Sequence, residues 1–153
     1  MDKKEKTEFL NFKHARLSEQ RAQMEQIQKD GVCPFCIEYF TKYHTAEIER
    51  EGKWWLVSKN DFPYEGTSIH YILVYKKHIV QPSEIDPEAW EEFGEHINYL
   101  NTTHTPKGGS FFMRFGDTDY TGGSIDHLHA QFLVGSAYSE DAEKIKVKLG
   151  YKK

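Results

Sequence analysis

The chain has 153 residues, 38% hydrophobic and 29% charged, with a formal net charge of −4 and a pI near 6.1. That is long enough for one domain with a real core, and an acidic balance without a basic patch speaks against a nucleic-acid or membrane-surface binder. No apolar run approaches the roughly 20 residues that span a bilayer, and the charged start Met1-Asp2-Lys3-Lys4-Glu5-Lys6 lacks the apolar core of a signal peptide, so a cytoplasmic protein is expected.

Residues 9–29 predict a helix. Leu10, Leu17 and Met24 recur every seven residues, and Gly31 supplies a stop. The apolar stripe is narrow, so the helix either packs along its own domain or offers a contact to a second subunit. Cys33-Pro34-Phe35-Cys36 follows. Two cysteines three apart make poor disulfide-framework arithmetic. Three readings stand: a redox pair, two inert thiols, or half of a tetrahedral zinc site. The first needs a strand before the motif, and a polar helix and one glycine precede it instead. The third suits a tight knuckle that presents two thiolates.

Residues 46–50 predict a short strand, and Lys53 to Ser58 a stronger one rich in β-formers. Asn60-Asp61-Phe62-Pro63-Tyr64 is a turn, where Asn and Asp serve either as turn caps or as ligand contacts. Ile69 to Tyr75 predicts a central strand, with Lys76-Lys77-His78-Ile79 at its exit. Asp86-Pro87-Glu88 starts a helix, with Asp86 as N-cap and Pro87 at the first helical position. Trp90, Phe93, Ile97 and Leu100 form its core face, and His96 and His104 fall off that face, towards solvent. Ser110 to Gly116 predicts another strand, and Glu140 to Leu149 a frayed terminal helix.

The stretch from Ser124 to Val134 alternates. His127, His129 and Gln131 recur every second residue, which on a strand places them in one row. Two imidazoles and a carboxamide on one face need partners or a use. The preceding Gly122-Gly123-Ser124 could offer backbone N–H groups to a phosphate.

His127-Leu128-His129-Ala130-Gln131-Phe132-Leu133 resembles the motif of the histidine-triad (HIT) superfamily, with Gln131 in the third histidine place. That variant is similar to the branch containing galactose-1-phosphate uridylyltransferase and dinucleoside tetraphosphate phosphorylases. The strand, Asn60-Asp61-Phe62-Pro63-Tyr64, strand, Lys76-Lys77-His78-Ile79 series resembles the family's central hairpin. The resemblance covers roughly residues 31–136.

The resemblance implies an α+β fold, a HIT-like antiparallel sheet of about five strands with flanking helices. Residues 1–30 would form an N-terminal helical extension, and 31–153 the HIT-like domain with a C-terminal helix. It implies His129 as nucleophile, with His127 and Gln131 beside it. It assigns Asn60 and Asp61 to the ribose or base, and Gly123 and Ser124 to the phosphates. Arg114 stands near where relatives carry an asparagine, and would hold phosphate bidentately or point away. It implies a structural zinc on Cys33, Cys36, His78 and His127, with His44 and His70 as rival ligands. His70 reads better as packed beside the site or in the core.

The implied function is nucleotidyl transfer or phosphorolysis on a nucleoside polyphosphate, dinucleoside polyphosphate or nucleotide sugar, through a nucleotidyl-histidine intermediate. A carboxamide does not titrate near neutral pH, so Gln131 cannot shuttle a proton to a poor leaving group. Hydrolysis of such substrates is the alternative, and a zinc-stabilised nucleotide-binding module with little turnover is another. Asp117, Asp119 and Asp126 add negative charge near the loop. No nucleic-acid or membrane partner is expected. Members of the family often dimerise, so a homodimer is one option.

Overall fold

The computed structural model describes residues 6–153. Met1 to Glu5, most of the charged start, lie outside the described residues. Five strands form one antiparallel sheet: β1 (Ile48–Glu51), β2 (Trp55–Lys59), β3 (Ile69–Tyr75), β4 (Ser110–Arg114) and β5 (His129–Val134). Their order is β1-β2-β3-β5-β4, so β5 is inserted between β3 and β4, and β4 is a sheet edge. The expected α+β class and five-stranded sheet hold.

The period of two sorts side chains between the faces. Tyr71, Leu73 and Tyr75 of β3 join Ala130, Phe132 and Val134 of β5 in one buried cluster. Helix α3 (Pro87–His104) packs on that face through Ala89, Phe93 and Leu100. Trp55 anchors it by donating its ring N–H to the Ala89 carbonyl at 2.8 Å. On the opposite face Leu56, Ile72 and Val74 meet Phe40 of helix α2 (Ile37–Tyr43). His129 and Gln131 belong to this second face, across the strand from Ala130.

Several elements differ from expectation. The first helix, α1, runs Ser18–Asp30 rather than from residue 9. Residues 10–17 are occupied otherwise. Leu10 bridges Ile125, and fully buried Asn11 donates its amide to Thr118 Oγ1 and Asp119 Oδ1. Such side-chain and cross-chain bonds compete with a helical backbone. The heptad stripe breaks at Leu17, which is 44% exposed, while Met24 and Ile27 are buried within their own chain beside Leu10, Phe12 and Tyr43. Gly31 ends the helix at φ +68°, as a left-handed cap requires.

In α3 the inward face is Ala89, Phe93, His96 and Leu100, and Trp90 is 45% exposed. His96, expected in solvent, is buried against Glu92, and His104 is half-buried against Tyr71. Asp86 occupies the N-cap position, but its carboxylate accepts from the Tyr75 hydroxyl instead of capping. The terminal helix over 140–149 does not form, and that segment runs without regular structure. The apolar positions Ile145 and Val147 are half-buried between exposed lysines, an alternation of period two that suits an extended chain.

Candidate functional site

Four side chains from three places converge behind the sheet. Cys33 and Cys36 sit on the turn that enters α2, His78 follows β3, and His127 precedes β5. Their ligand atoms all lie within 4.8 Å of one another. Cys33 Sγ is 3.4 Å from His127 Nδ1, Cys36 Sγ is 3.5 Å from His78 Nδ1, and the two Nδ1 atoms are 3.2 Å apart. Zinc–sulfur bonds of about 2.3 Å and zinc–nitrogen bonds of about 2.0–2.1 Å place tetrahedral ligands roughly 3.3–3.8 Å apart. The donor set therefore fits one tetrahedral ion.

The tautomer fits too. His127 Nε2 donates to the Tyr75 carbonyl at 2.5 Å, so Nδ1 keeps its lone pair for a metal. Burial holds His127 neutral, down to about 3, and pushes the Cys33 thiol up to about 12. A bound dication reverses the second effect, because it stabilises thiolate directly. His44 and His70 lie outside this cluster. His44 instead contacts Ser58 Oγ at 2.8 Å and Asp61 Oδ2 at 3.4 Å.

His127 also reaches the next histidine. Its backbone carbonyl accepts from His129 Nδ1–H at 2.7 Å. That bond fixes the proton on Nδ1 and leaves the Nε2 lone pair free. Burial keeps the ring neutral, lowering it to about 4, and the nearby Arg114 cation acts in the same direction. Phe35 holds the ring edge-on at 4.9 Å.

Gln131 is oriented by His70. The Tyr64 N–H donates to His70 Nδ1 at 3.0 Å, so the proton sits on Nε2. His70 Nε2 then donates to Gln131 Oε1 at 2.5 Å. With its oxygen taken, Gln131 has its amide N–H groups left for a ligand. Asn60 completes the set, its Nδ2 lying 3.5 Å from the same oxygen while its Oδ1 accepts from the Phe62 N–H.

His129 and Gln131 face a cavity of about 320 Å³, within the range of small-molecule sites. Asn60, Asp61, Arg114, Gly123 and Ser124 also line it. Their present roles are partly internal. Asp61 takes the N–H groups of Thr45 and Ala46, at 2.8 and 2.9 Å. The N–H groups of Gly122 and Gly123 are not bare. They donate to Thr118 O and Thr121 Oγ1 in this structure. Ser124 Oγ accepts from Gln20 at 3.3 Å. Arg114 gives Nε and Nη2 to the Lys148 carbonyl at 2.8 and 2.6 Å.

Sequence reading missed the other walls. Met24 and Ile27 of α1 and Tyr43 of α2 make an apolar wall, and His14, Arg16, Lys146 and Lys148 also line the cavity. Arg16 is held over the Tyr64 ring at 4.3 Å. Arg16, Arg114, Lys146 and Lys148 thus outnumber Asp61, the one carboxylate in the lining among the described residues, within an acidic protein. The acids near the loop lie elsewhere: Lys6 pairs with Asp117 and Asp119, and neither these nor Asp126 line the cavity. The one local signal was the run Lys144-Ile-Lys-Val-Lys148 at the chain's end.

No protein-family model and no curated protein sequence matches the chain. Its fold is similar to solved histidine-triad structures. A HIT family hydrolase from Clostridium thermocellum aligns over 74% of this chain and 96% of its own, with 21% identity and a TM-score of 0.54. A Zn-bound histidine triad family protein from Mycobacterium smegmatis aligns over 76% and 84%, with 16% identity and a TM-score of 0.53. A histidine triad nucleotide-binding protein from Candida albicans aligns over 74% and 87%, with 13% identity and a TM-score of 0.55.

Proposed function

We infer that the protein is a nucleotidyl transferase or phosphorylase acting on a nucleoside polyphosphate, dinucleoside polyphosphate or nucleotide sugar. The observation that carries this reading is the free Nε2 of neutral His129, facing a nucleotide-sized cavity lined by Arg16, Arg114 and two lysines. The similar folds include a HIT family hydrolase and a histidine triad nucleotide-binding protein, which supports the same class of ligand.

The Nε2 lone pair attacks the α-phosphorus. An N–P bond forms as the bond to the leaving oxygen breaks, and that oxygen departs with the electron pair. An acceptor oxygen then attacks phosphorus, the N–P electrons return to Nε2, and any acceptor proton passes to solvent. Gln131, with its oxygen held by His70, donates N–H to a non-bridging phosphate oxygen and steadies developing charge. It has no proton to give, so the leaving group is one that departs as an anion, such as a phosphate. Cys33, Cys36, His78 and His127 would hold a structural zinc, which clamps the α2 turn to the start of β5.

The test is intermediate trapping. Purified protein is incubated with labelled nucleoside triphosphates, dinucleoside tetraphosphates and nucleotide sugars, then quenched with alkali. An acid-labile nucleotide on His129, absent in His129→Ala, is expected. Product formation that requires inorganic phosphate or a sugar phosphate separates transfer from hydrolysis. No adduct with any of these substrates, and no difference between wild type and His129→Ala, overturns the reading.

A further inference from the structure

One segment stays unexplained by the fold. Residues 144–151 add no strand or helix, yet three of them, Lys146, Val147 and Lys148, line the cavity. The geometry points to this segment as a cationic strap over the cavity, with Lys146 and Lys148 selecting ligands that carry a chain of phosphates beyond the first. The inference deepens the proposed function and rests on it for the placement of the nucleotide.

The strap is built in rather than draped. Its Lys148 carbonyl receives both guanidinium bonds of Arg114. Two residues from there is Gly150, and Tyr151 beyond it donates its hydroxyl to His14 Nε2 at 2.7 Å. His14 Nδ1 in turn donates to the Gly123 carbonyl at 2.7 Å. The strap is therefore tied to the loop that precedes the two histidines. Two glycines let it approach. A Cβ on Gly122 would stand 2.7 Å from Lys148 Cβ, and one on Gly135 would stand 2.8 Å from Ile145 Cδ1. A side chain at Gly122, which also holds φ +79°, would push the strap away, whereas one at Gly135 would displace only the tip of Ile145.

Charge gives the strap its use. Residues 144–153 contain five lysines and no acid, in a chain of net charge −4. Asp61 is the one carboxylate lining the cavity among the described residues, and it is already bonded to two backbone N–H groups. Lys146 and Lys148 thus meet no neutralising partner in the cavity. With both its bonds on the strap made by Nε and Nη2, Arg114 keeps its Nη1 donors for a ligand. A monophosphate bound at His129 needs none of the strap lysines. A longer phosphate chain brings the charge that they match.

The experiment uses the full chain and the variant Lys146→Ala/Lys148→Ala. Isothermal titration calorimetry compares the 5′-mono- and triphosphates of adenosine, guanosine, cytidine and uridine at low and high salt. The wild type is expected to favour the triphosphate of its preferred nucleoside by about tenfold or more, and added salt should shrink that margin. The variant should lose the margin while holding the monophosphate within about twofold. Lys146→Arg/Lys148→Arg should keep it. A margin equal in wild type and the alanine variant, with monophosphate still bound, overturns the strap alone. No binding of any of the eight nucleotides overturns the strap, and with no adduct in the trapping experiment it overturns the proposed function as well.

Discussion

His70 works only while it is neutral. It accepts from the Tyr64 N–H on one nitrogen and donates to Gln131 on the other, so protonating Nδ1 breaks the first bond. Burial lowers its pKa to about 4, against an ordinary value of 6.5, despite the opposing bond from Gln131. Above pH 6.5 both folded and unfolded imidazoles are neutral and the contribution is fully present. Between pH 6.5 and 4 the unfolded chain takes up the proton first, and stability falls by up to about 3 kcal/mol. Urea midpoints measured from pH 7.5 to 4 should therefore drop more steeply for wild type than for His70→Phe. The variant begins lower at pH 7, because it strands Gln131 and the Tyr64 N–H, each by about 1–3 kcal/mol. Parallel curves would refute this role. The sequence made His129 and Gln131 legible, because alternation puts them on one face. It could not show that His70 aims the glutamine, since that pairing depends on the Ile72–Gln131 register between β3 and β5.

At the level of elements, Glu92 joins α3 to the β1–β2 turn. Its carboxylate accepts N–H groups of Lys53, Trp54 and Trp55 at 2.7–2.9 Å. Gly52 leaves room for it, since a Cβ there would stand 2.2 Å from Glu92 Oε1. Glu92→Ala should cost about 2–3 kcal/mol by leaving those donors unpaired. A thermal melt should show a fall of roughly 4–12 °C for a chain of this size, and Glu92→Gln should recover part of it. An unchanged melting temperature for the alanine variant would remove Glu92 from this role. Strands and α3 were readable because their apolar periods are strong. Two elements were not. Helix α2 is only Ile37–Tyr43, and its signal lay hidden behind the cysteine knuckle. The helix expected at 140–149 lost to tertiary contacts that helical propensity cannot foresee, above all the Arg114 bonds to Lys148.

For the molecule as a whole, the four-ligand cluster ties α2, β3 and β5 together, and its fit to a tetrahedral ion leads to a stability prediction. Metal analysis should find about one equivalent of zinc. Cys33→Ser should lose it, together with about 3 kcal/mol or more of stability. A stable wild type that binds no metal would refute the site. The four side chains were legible as candidates from cysteine spacing and the family resemblance, but their convergence was not, because it needs β5 to slot between β3 and β4.

That cluster has a consequence for how the chain assembles. Cys33 and His127 are 94 positions apart, whereas the β2–β3 hairpin closes over only residues 60–68. Closing so wide a loop costs chain entropy, and an ion held by all four residues would add its binding free energy to the folded state, where alone the site is assembled. During synthesis the knuckle emerges nearly a hundred residues before its last ligand. The hairpin can form while the knuckle waits, and the pocket closes only when β5 arrives. An ion bound there would act as a late latch on an order of events already set by topology.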